Sequence, residues 1–397
     1  MNLYPFLLVV AVFLVSACGK TDPIAPATYT CADGLAQAGD QHPDADDLNA
    51  LLDKQLPHFV GVQVALTDAQ GNRWTGARGM ADIQAGVDLQ TCHRIPIASI
   101  SKTITAAVIL QQFDDGLLDL DDLLSVYLPA SLIGEIPNAS EATLRQLLNH
   151  TSGIPDYLTA KQFLNSLNEP YLIETQREKL KYAHNQEPTN SPGEEFSYSN
   201  TNFVLLGLVA EVIDEMPLWE VIDARIAQPL SLPNFAMGTE LDPIPDDVAR
   251  PYLALNGGKY SDIISFAVSD AATGDGGILT NMNELSGFFS GLFTGGLVNG
   301  ASLTEMTSNI MDVPERQSDF DWPNEGYGLG LSRWNTPAGL AYGHTGSTGS
   351  YLSALFYFPD TGVMLSYVTT SVDNSDPDAF DEAFERLREE LFEIATR

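Results

Sequence analysis

The sequence predicts an α+β fold in which an antiparallel β-sheet is flanked by helices and an all-helical lobe is inserted into the chain. Strand-like runs lie near the start, between residues 60 and 79, and again between residues 327 and 370. The part between them is dominated by apolar stretches of helical period. With 397 residues, of which 44% are hydrophobic, the chain can bury a large core. Strands at both ends therefore imply one sheet built from the two terminal parts.

The first strands form a predicted hairpin. Residues 60–68 alternate in polarity, Gln70-Gly71-Asn72 supplies a turn, and residues 73–79 return. The middle of the chain then predicts helices separated by turn-rich corners, over residues 101–113, 117–128, 142–148, 200–213 and 218–227.

From Thr273 the composition shifts to glycine, in the stretch 273–280. It lacks the lysine of a phosphate-binding loop, so we expect close backbone packing beneath a site. A helix over 284–293 follows. The chain then predicts short strands and a closing amphipathic helix, over residues 327–333, 341–344, 353–358, 363–370 and 377–394.

The first 18 residues do not belong to the predicted fold. Residues 3–15 form an apolar run too short for a transmembrane helix, and Val15-Ser16-Ala17-Cys18 resembles the cleavage box of bacterial lipoproteins. We therefore expect lipidation of Cys18 and a membrane anchor, with residues 19–40 as a tether. An ordinary secretory signal and an uncleaved anchor are the alternatives. The expected location is the bacterial cell envelope, facing the periplasm, with the outer membrane favoured.

The chain is strongly acidic, with 19 basic against 53 acidic residues and a formal net charge of −34. This charge repels polyanions, so nucleic acid is not an expected partner, and neither is attraction to anionic lipid. We expect a monomer that meets a small-molecule or peptide substrate. The cysteines other than Cys18 are Cys31 and Cys92. In an exported protein they are expected to form a disulfide, with two separate buried thiols as the alternative.

A candidate nucleophile lies where the apolar helix 101–113 begins. Ser99 precedes Lys102 by three residues, which places both side chains on one face of a helical turn. Serine needs an adjacent base to become a nucleophile, and both burial and the helix N-terminus favour a neutral lysine amine. The pair predicts serine acylation chemistry.

Two further triplets accompany this pair: Tyr198-Ser199-Asn200 and His344-Thr345-Gly346. With Ser99 and Lys102 they have the order and spacing of the penicillin-recognising serine hydrolases. The chain thus resembles the serine β-lactamase-like and penicillin-binding protein-like hydrolases, which include class C β-lactamases, D-Ala-D-Ala carboxypeptidases and related esterases. The resemblance covers about residues 45 to 395 and includes 149–153, 192–193, 276–277 and 327–330.

The resemblance implies a role for each matching residue. Ser99 would be acylated, and Lys102 and Tyr198 would share the proton transfers. Asn200, His344, Thr345 and Gly346 would bind substrate, and the backbone N–H groups of Ser99 and Ser347 would form an oxyanion hole. No metal or other cofactor is expected.

The same resemblance implies that residues 41–397 form one hydrolase domain. Its α/β lobe would comprise about 41–100 and 270–397, and its helical lobe about 101–269. The active site would lie in the cleft between the two lobes.

The motifs define the type of reaction more closely than they define the substrate. His344 stands where many relatives have lysine, and histidine is charged only near or below pH 6.5. Histidine at this position resembles the carboxypeptidase and esterase branches of the family more than a typical lactamase, and this resemblance implies D-amino-acid peptides or small esters as substrates. The alternatives are a true class C-like β-lactamase and, in another functional class, a catalytically idle wall-binding or structural lipoprotein. His150 is a rival base, although its turn motif predicts a structural role.

Overall fold

A nine-stranded antiparallel sheet forms the centre of the molecule. The structure, a computed structural model, describes residues 42–169, 172–237, 246–255, 258–267, 272–308, 310–314, 317 and 325–397. Across the sheet the strands lie in the order β3 (Val87–Asp88), β2 (Arg73–Asp82), β1 (Gly61–Thr67), β14 (Val363–Thr369), β13 (Tyr351–Phe358), β12 (Gly339–Thr348), β11 (Ser332–Thr336), β10 (Gly326–Tyr327) and β9 (Met311–Asp312).

The N-terminal and C-terminal strands meet in the middle of this sheet. The predicted hairpin is present as β1 and β2, and β1 also pairs with β14, with Val62 opposite Thr369. The side chains of β1 and β14 are all buried, so this junction lies in the core. One sheet built from the two terminal parts, with the α+β class it implies, is therefore confirmed.

Helices cover both faces of the sheet. On one face, α1 (Ala45–Gln55) and the closing helix α13 (Pro377–Ala395) pack their apolar sides against it. On the other, α11 (Met282–Phe293) lies against β14, where the Ser286 and Ser366 hydroxyls are 3.0 Å apart. The helical lobe continues from this second face, because its apolar residues belong to the same core cluster as those of α11.

The remaining helices are mostly short. They are α2 (Ser101–Asp114), α3 (Ala130–Ile133), α4 (Leu144–Leu148), α5 (Ala160–Asn168), α6 (Gln176–Leu180), α7 (Asn200–Asp214), α8 (Leu218–Ile222), α9 (Gln228–Leu230), α10 (Ile264–Ala267) and α12 (Gly300–Ser308).

The helix predicted over residues 117–128 was wrong, because the structure has turns there and a single 3₁₀ segment, Leu124–Val126. The backbone bonds in this stretch go to another segment: Leu124 N–H donates to the Ala142 carbonyl and Arg145 N–H to the Leu120 carbonyl. Leu118, Leu120, Leu124 and Leu128 are still buried, whereas Leu117 and Leu123 are exposed, so the spacing of the leucines indicated partial burial and not helical hydrogen bonding.

Two small sheets adjoin the helical region. In one, β8 (Ile278–Thr280) lies between β4 (Ile95–Pro96) and β5 (Ala236–Met237). In the other, β6 (Tyr252–Ala254) lies between β7 (Tyr260–Asp262) and β15 (Ser371–Asp373). The last part of the predicted helical lobe therefore contains strands that pair with the C-terminal half of the chain.

The described ranges contain neither a membrane-spanning helix nor a metal-binding cluster. None of the helices there combines the length and apolarity needed to cross a membrane. Those ranges also hold no group of three or more His, Cys, Asp or Glu side chains placed to bind a metal ion.

Candidate active site

Ser99 lies on a tight turn at the start of α2. A 3₁₀ segment, Ala98–Ile100, leads directly into the helix, and Ala98 has a φ of 49°, which is unfavourable for a residue with a β-carbon. The turn is held from below by β8, because Ile97 N–H donates to the Ile278 carbonyl and Ile278 N–H to the Ser101 hydroxyl, at 3.0 and 3.1 Å. Small-sheet pairing thus fixes the turn that presents Ser99.

Lys102 lies beneath Ser99 and is completely buried. Its Nζ is 3.0 Å from Ser99 Oγ, 2.7 Å from Asn200 Oδ1 and 2.8 Å from the Asp275 carbonyl oxygen. A protonated amine can donate to all three oxygens. A neutral amine that donates to Asn200 and Asp275 directs its lone pair at the third position, the Ser99 hydroxyl. This geometry suits a base that removes the Ser99 proton.

Asn200 is held in turn by a carboxyl group. Asn200, the first residue of α7, donates from Nδ2 to Asp156 Oδ2 over 2.9 Å, and Asp156 Oδ1 accepts from Leu158 N–H over 3.1 Å. The Asp156 residue keeps some exposed surface, but burial raises the pKa of its carboxyl to about 6 against the opposing hydrogen bonds from Leu158 and Asn200. A chain of hydrogen bonds thus runs from Asp156 to Lys102.

The glycine-rich stretch provides the third support of Lys102. Thr105 donates to the Gly274 carbonyl over 2.6 Å, and a β-carbon on Gly274 would lie 2.7 Å from the Phe203 carbonyl oxygen. The neighbouring Asp275 carboxyl accepts from the hydroxyl of buried Tyr157 over 2.8 Å. The prediction that this stretch packs closely beneath the site is confirmed.

His150 supports the segment that carries Tyr198. Its Nδ1 accepts from Ser199 N–H over 3.1 Å, and its ring lies 4.3 Å from the Tyr198 ring, centre to centre. Burial, with smaller effects of Lys102 and His344, lowers the pKa of His150 well below 6.5. His150 is completely buried and does not line the cavity above Ser99, so this placement fits the structural role and not the role of a base.

His344 lies on strand β12 and is also buried. Its Nδ1 is 2.6 Å from the Thr345 carbonyl oxygen and must donate to it, so Nε2 is left to accept from the Tyr327 hydroxyl at 3.0 Å. Burial, aided by the charge of Lys102, lowers the pKa of His344 to about 3. Both ring nitrogens are thus engaged within the protein, and the imidazole is neutral. His344 nevertheless lines the cavity above Ser99, so its predicted contact with substrate stays a prediction, made by a neutral ring.

Gly346 lets β12 approach the Ser99 turn. A β-carbon there would lie 2.2 Å from the Ile97 carbonyl oxygen. The structure thus shows Gly346 at a close contact between strand and turn, and its predicted contact with substrate stays a prediction. Its neighbours Thr345 and Ser347 face the open space above Ser99.

A cavity of about 320 Å³ opens above Ser99. We call Ser99, Lys102 and Asn200 the floor, and His344, Thr345 and Ser347 the β12 wall. Of these, Ser99 and the three wall residues line the cavity. The other lining residues are Phe196, Tyr198, Val313, Gln317, Glu325, Tyr327 and Ser332.

The structure brings all the motif residues into one place, although they were predicted from three separate stretches. Sequence reasoning missed Asp156, the Asp275 carbonyl, Glu325 and the contact of Tyr327 with His344. Asp156 could have been suspected, because it lies three residues after the matched segment 149–153. Cys92 is disulfide-bonded. Cys18 and Cys31 lie outside the described residues, so the predicted pairing of Cys31 with Cys92 stays a prediction.

Comparison with curated proteins gives distant relatives that are longer than the matched region. The chain is 28% identical over 180 residues to protein flp of Staphylococcus aureus, covering 45% of this chain and 35% of that protein. It is 26% identical over 192 residues to the D-alanyl-D-alanine-carboxypeptidase/endopeptidase AmpH of Escherichia coli, covering 48% of this chain and 46% of that protein. The matches therefore span between a third and a half of these relatives.

Solved structures match nearly the whole fold. A D-stereospecific amidohydrolase from Streptomyces superposes with a TM-score of 0.72 at 29% identity, over 86% of this chain and 98% of the other. A D-amino acid amidase from Ochrobactrum anthropi superposes with a TM-score of 0.73 at 23% identity, over 87% and 98%. The family model described as Beta-lactamase matches residues 48–390, so the chain belongs to the Beta-lactamase family.

Proposed function

We propose that this chain is a serine hydrolase that forms a covalent ester on Ser99 and acts on D-amino acid amides, peptides or small esters. The observation that carries the proposal is the placement of Lys102 Nζ, fixed by two oxygens and 3.0 Å from Ser99 Oγ at the base of a cavity. A lysine held in this way can take the proton of the serine hydroxyl, and this makes the serine oxygen a nucleophile.

The proposed reaction has two halves. In the first, Lys102 accepts the Ser99 hydroxyl proton, Oγ bonds to the substrate carbonyl carbon, and the bond to the amine or alcohol breaks. Lys102 and Tyr198, which lie close together with Nζ 5.2 Å from the ring centre, return the proton to the leaving group. In the second half a water molecule attacks the ester carbonyl carbon, the bond from that carbon to Ser99 Oγ breaks to release the carboxylic acid, and a proton from the water returns to Ser99 through Lys102. The N–H groups of Ser99 and Ser347 are proposed to bind the carbonyl oxygen.

The charge of the cavity favours neutral or cationic substrates. The residues described as lining it include no lysine or arginine, His344 is neutral, and the acidic Glu325 is among them. The net charge of −34 adds to this preference. A substrate with a free carboxylate next to the scissile bond finds no fixed positive charge on the β12 wall. Amides and esters of D-amino acids therefore suit the site better than a carboxypeptidase substrate does.

The names of similar proteins support the same class of substrate. The Streptomyces protein, at 29% identity, is named a D-stereospecific amidohydrolase. The relative AmpH is named for D-alanyl-D-alanine peptides, and this keeps the carboxypeptidase reading as the second candidate.

The test compares four substrates on the purified protein: a D-amino acid amide, its L-enantiomer, a peptide ending in D-Ala-D-Ala, and a chromogenic cephalosporin. We expect turnover of the D-amide above the other three, and loss of that turnover in Ser99→Ala. Faster turnover of the D-Ala-D-Ala peptide would favour the carboxypeptidase. Rapid hydrolysis of the cephalosporin would favour a true β-lactamase. An absence of turnover and of any Ser99 adduct would favour an idle wall-binding protein.

We also propose that the protein is held in the cell envelope by a lipid on Cys18, facing the periplasm and acting as a monomer. The support is the lipoprotein-like run that ends at Cys18. Fractionation of cells that express the full chain tests this, with the protein expected in outer membranes. A Cys18→Ala chain that still sediments with membranes contradicts the anchor.

A further inference from the structure

We infer that Asp156 is a positioning residue for Lys102: its carboxylate fixes which end of the Asn200 amide faces the lysine, and so keeps the lysine lone pair directed at Ser99. The inference rests on the proposed function, since it concerns the same Ser99 chemistry. It starts from the two-ended character of an amide. One end of Asn200 accepts hydrogen bonds and the other end donates them.

The two neighbours of this amide make opposite demands. Lys102 Nζ, 2.7 Å from Oδ1, needs an acceptor, whereas Asp156 Oδ2, 2.9 Å from Nδ2, needs a donor. Only one orientation of Asn200 satisfies both. The reversed orientation points an N–H group at Lys102, and the lysine lone pair accepts that hydrogen bond. The lysine can then only donate to Ser99, and the serine keeps its proton.

Asp156 is itself held in place by hydrogen bonds. Its other oxygen, Oδ1, accepts from Leu158 N–H over 3.1 Å, and its carbonyl accepts from Gln186 over 3.1 Å. The residue does not line the cavity, so it acts through Asn200 and not by touching substrate. The charged groups that bear on its carboxyl are Lys102 and Asp275, and the raised pKa of about 6 leaves it ionised at neutral pH.

The substitution Asp156→Asn tests this logic. The new side chain keeps its oxygen on Leu158 N–H, so its NH₂ group faces Asn200 and forces the reversed orientation. Asp156→Ala removes the constraint without imposing the wrong one. A merely structural role predicts that the isosteric Asn variant is the milder change. The proposed role predicts that it is the more severe one.

The readout is the second-order rate of Ser99 phosphonylation by a fluorophosphonate probe, in which the Oγ–P bond forms, the P–F bond breaks and Lys102 takes the serine proton. We expect Asp156→Asn to react about 100-fold more slowly than the wild type and Asp156→Ala about 10-fold more slowly. Asp214→Asn is the matched control, because Asp214 is a similarly buried carboxylate paired with Arg225 away from the site. It should stay within about twofold of the wild type.

The outcomes are distinguishable. A wild-type rate in Asp156→Asn, or a slower rate in the Ala variant than in the Asn variant, overturns the inference alone. If thermal melting shows that the Asn variant does not fold, the Ala variant decides, and a rate within twofold of the wild type overturns the inference. If the wild-type protein forms no Ser99 adduct, the proposed function is wrong, and so is this inference, which rests on it.

Discussion

The floor and the β12 wall of the cavity each hold a buried basic side chain, but they surround it with different hydrogen-bond partners. On the floor, Lys102 meets three oxygens, each within 3.0 Å, and can therefore carry a proton inside the protein. On the wall, His344 gives one nitrogen to a carbonyl and the other to Tyr327, and burial lowers its pKa to about 3. The molecule thus accommodates positive charge at the proposed position of proton transfer and excludes it where the β12 wall faces the cavity.

The strongest test of the floor is Lys102→Met. Removal of the base should lower the rate of ester hydrolysis by about 10³-fold while the protein stays folded, since the methionine fills the same buried space. Lys179→Met is the comparison, because Lys179 is equally buried but is separated from Ser99 by the Tyr157 hydroxyl, to which it donates over 3.2 Å, and by Asp275. It should affect the melting temperature more than the rate. Equal loss of rate in both variants would contradict a special role for Lys102.

The contact that joins wall to floor is tested by Gly346→Ala. The added β-carbon would meet the Ile97 carbonyl oxygen at 2.2 Å, so strand and turn must separate. We expect the free energy of unfolding to fall by about 1–3 kcal/mol, together with a loss of activity. Denaturant melts measure the first effect. Gly300→Ala is the control, because a β-carbon on Gly300 meets nothing within 4 Å and its backbone is not in the left-handed region. A Gly346→Ala protein that melts no lower than the Gly300→Ala protein would show that the approach is not tight.

The neutral state of His344 predicts an effect of pH on stability. Its pKa is about 3 in the folded protein and near 6.5 unfolded, so below pH 6.5 the unfolded chain binds a proton that the folded protein does not. The stability this histidine contributes is complete above pH 6.5 and is lost as pH falls toward 3, by about 1.4 kcal/mol per pH unit.

The buried histidine His150 adds a slope of the same sign, because its pKa is also lowered. Asp156 acts in the opposite direction. Its pKa rises from 3.8 to about 6 on folding, so its protonation stabilises the folded protein as pH falls through that window. The quantity to measure is therefore the difference between wild type and His344→Gln across pH 4–7. Parallel curves would show that His344 is protonated in the folded protein.

The smallest expected effect comes from placing a permanent charge on the wall. His344→Lys gives the cavity a cation, and the ratio of rates for a D-Ala-D-Ala peptide over a D-amino acid amide should rise by about tenfold. His344→Gln, which adds no charge, is the control. A ratio that rises equally in both variants would mean that charge is not what the wall controls.

These contrasts show which parts of the site could be predicted from sequence. Ser99, Lys102, Tyr198 and Asn200 were identified because short-range spacing and order carry their signal, and the hairpin of β1 and β2 because alternation and a turn do. The state of His344 could not be predicted, since its partner Tyr327 and its burial depend on the folding of the sheet.

Other parts of the site leave no mark in residue types. The third acceptor of Lys102 is the backbone carbonyl of Asp275, 173 residues away, and any residue has a carbonyl. Asp156 reaches Asn200 across 44 residues, and no local pattern reports such a distance. The helix predicted over residues 117–128 was wrong for a related reason, because buried leucines recur at similar spacing in helices and in compact turns.

The pairing of β1 with β14 has a consequence for how the protein is made. Val62 and its partner Thr369 are about 300 residues apart, so β1 leaves the ribosome long before β14 does. Until then, one edge of β1 has no strand to pair with, and the sheet that carries the β12 wall cannot close. The finished sheet, and the cavity beside it, can therefore form only after the whole stretch from β1 to β14 has been translated. During that time the unpaired edge of β1 is open to pairing with other strands.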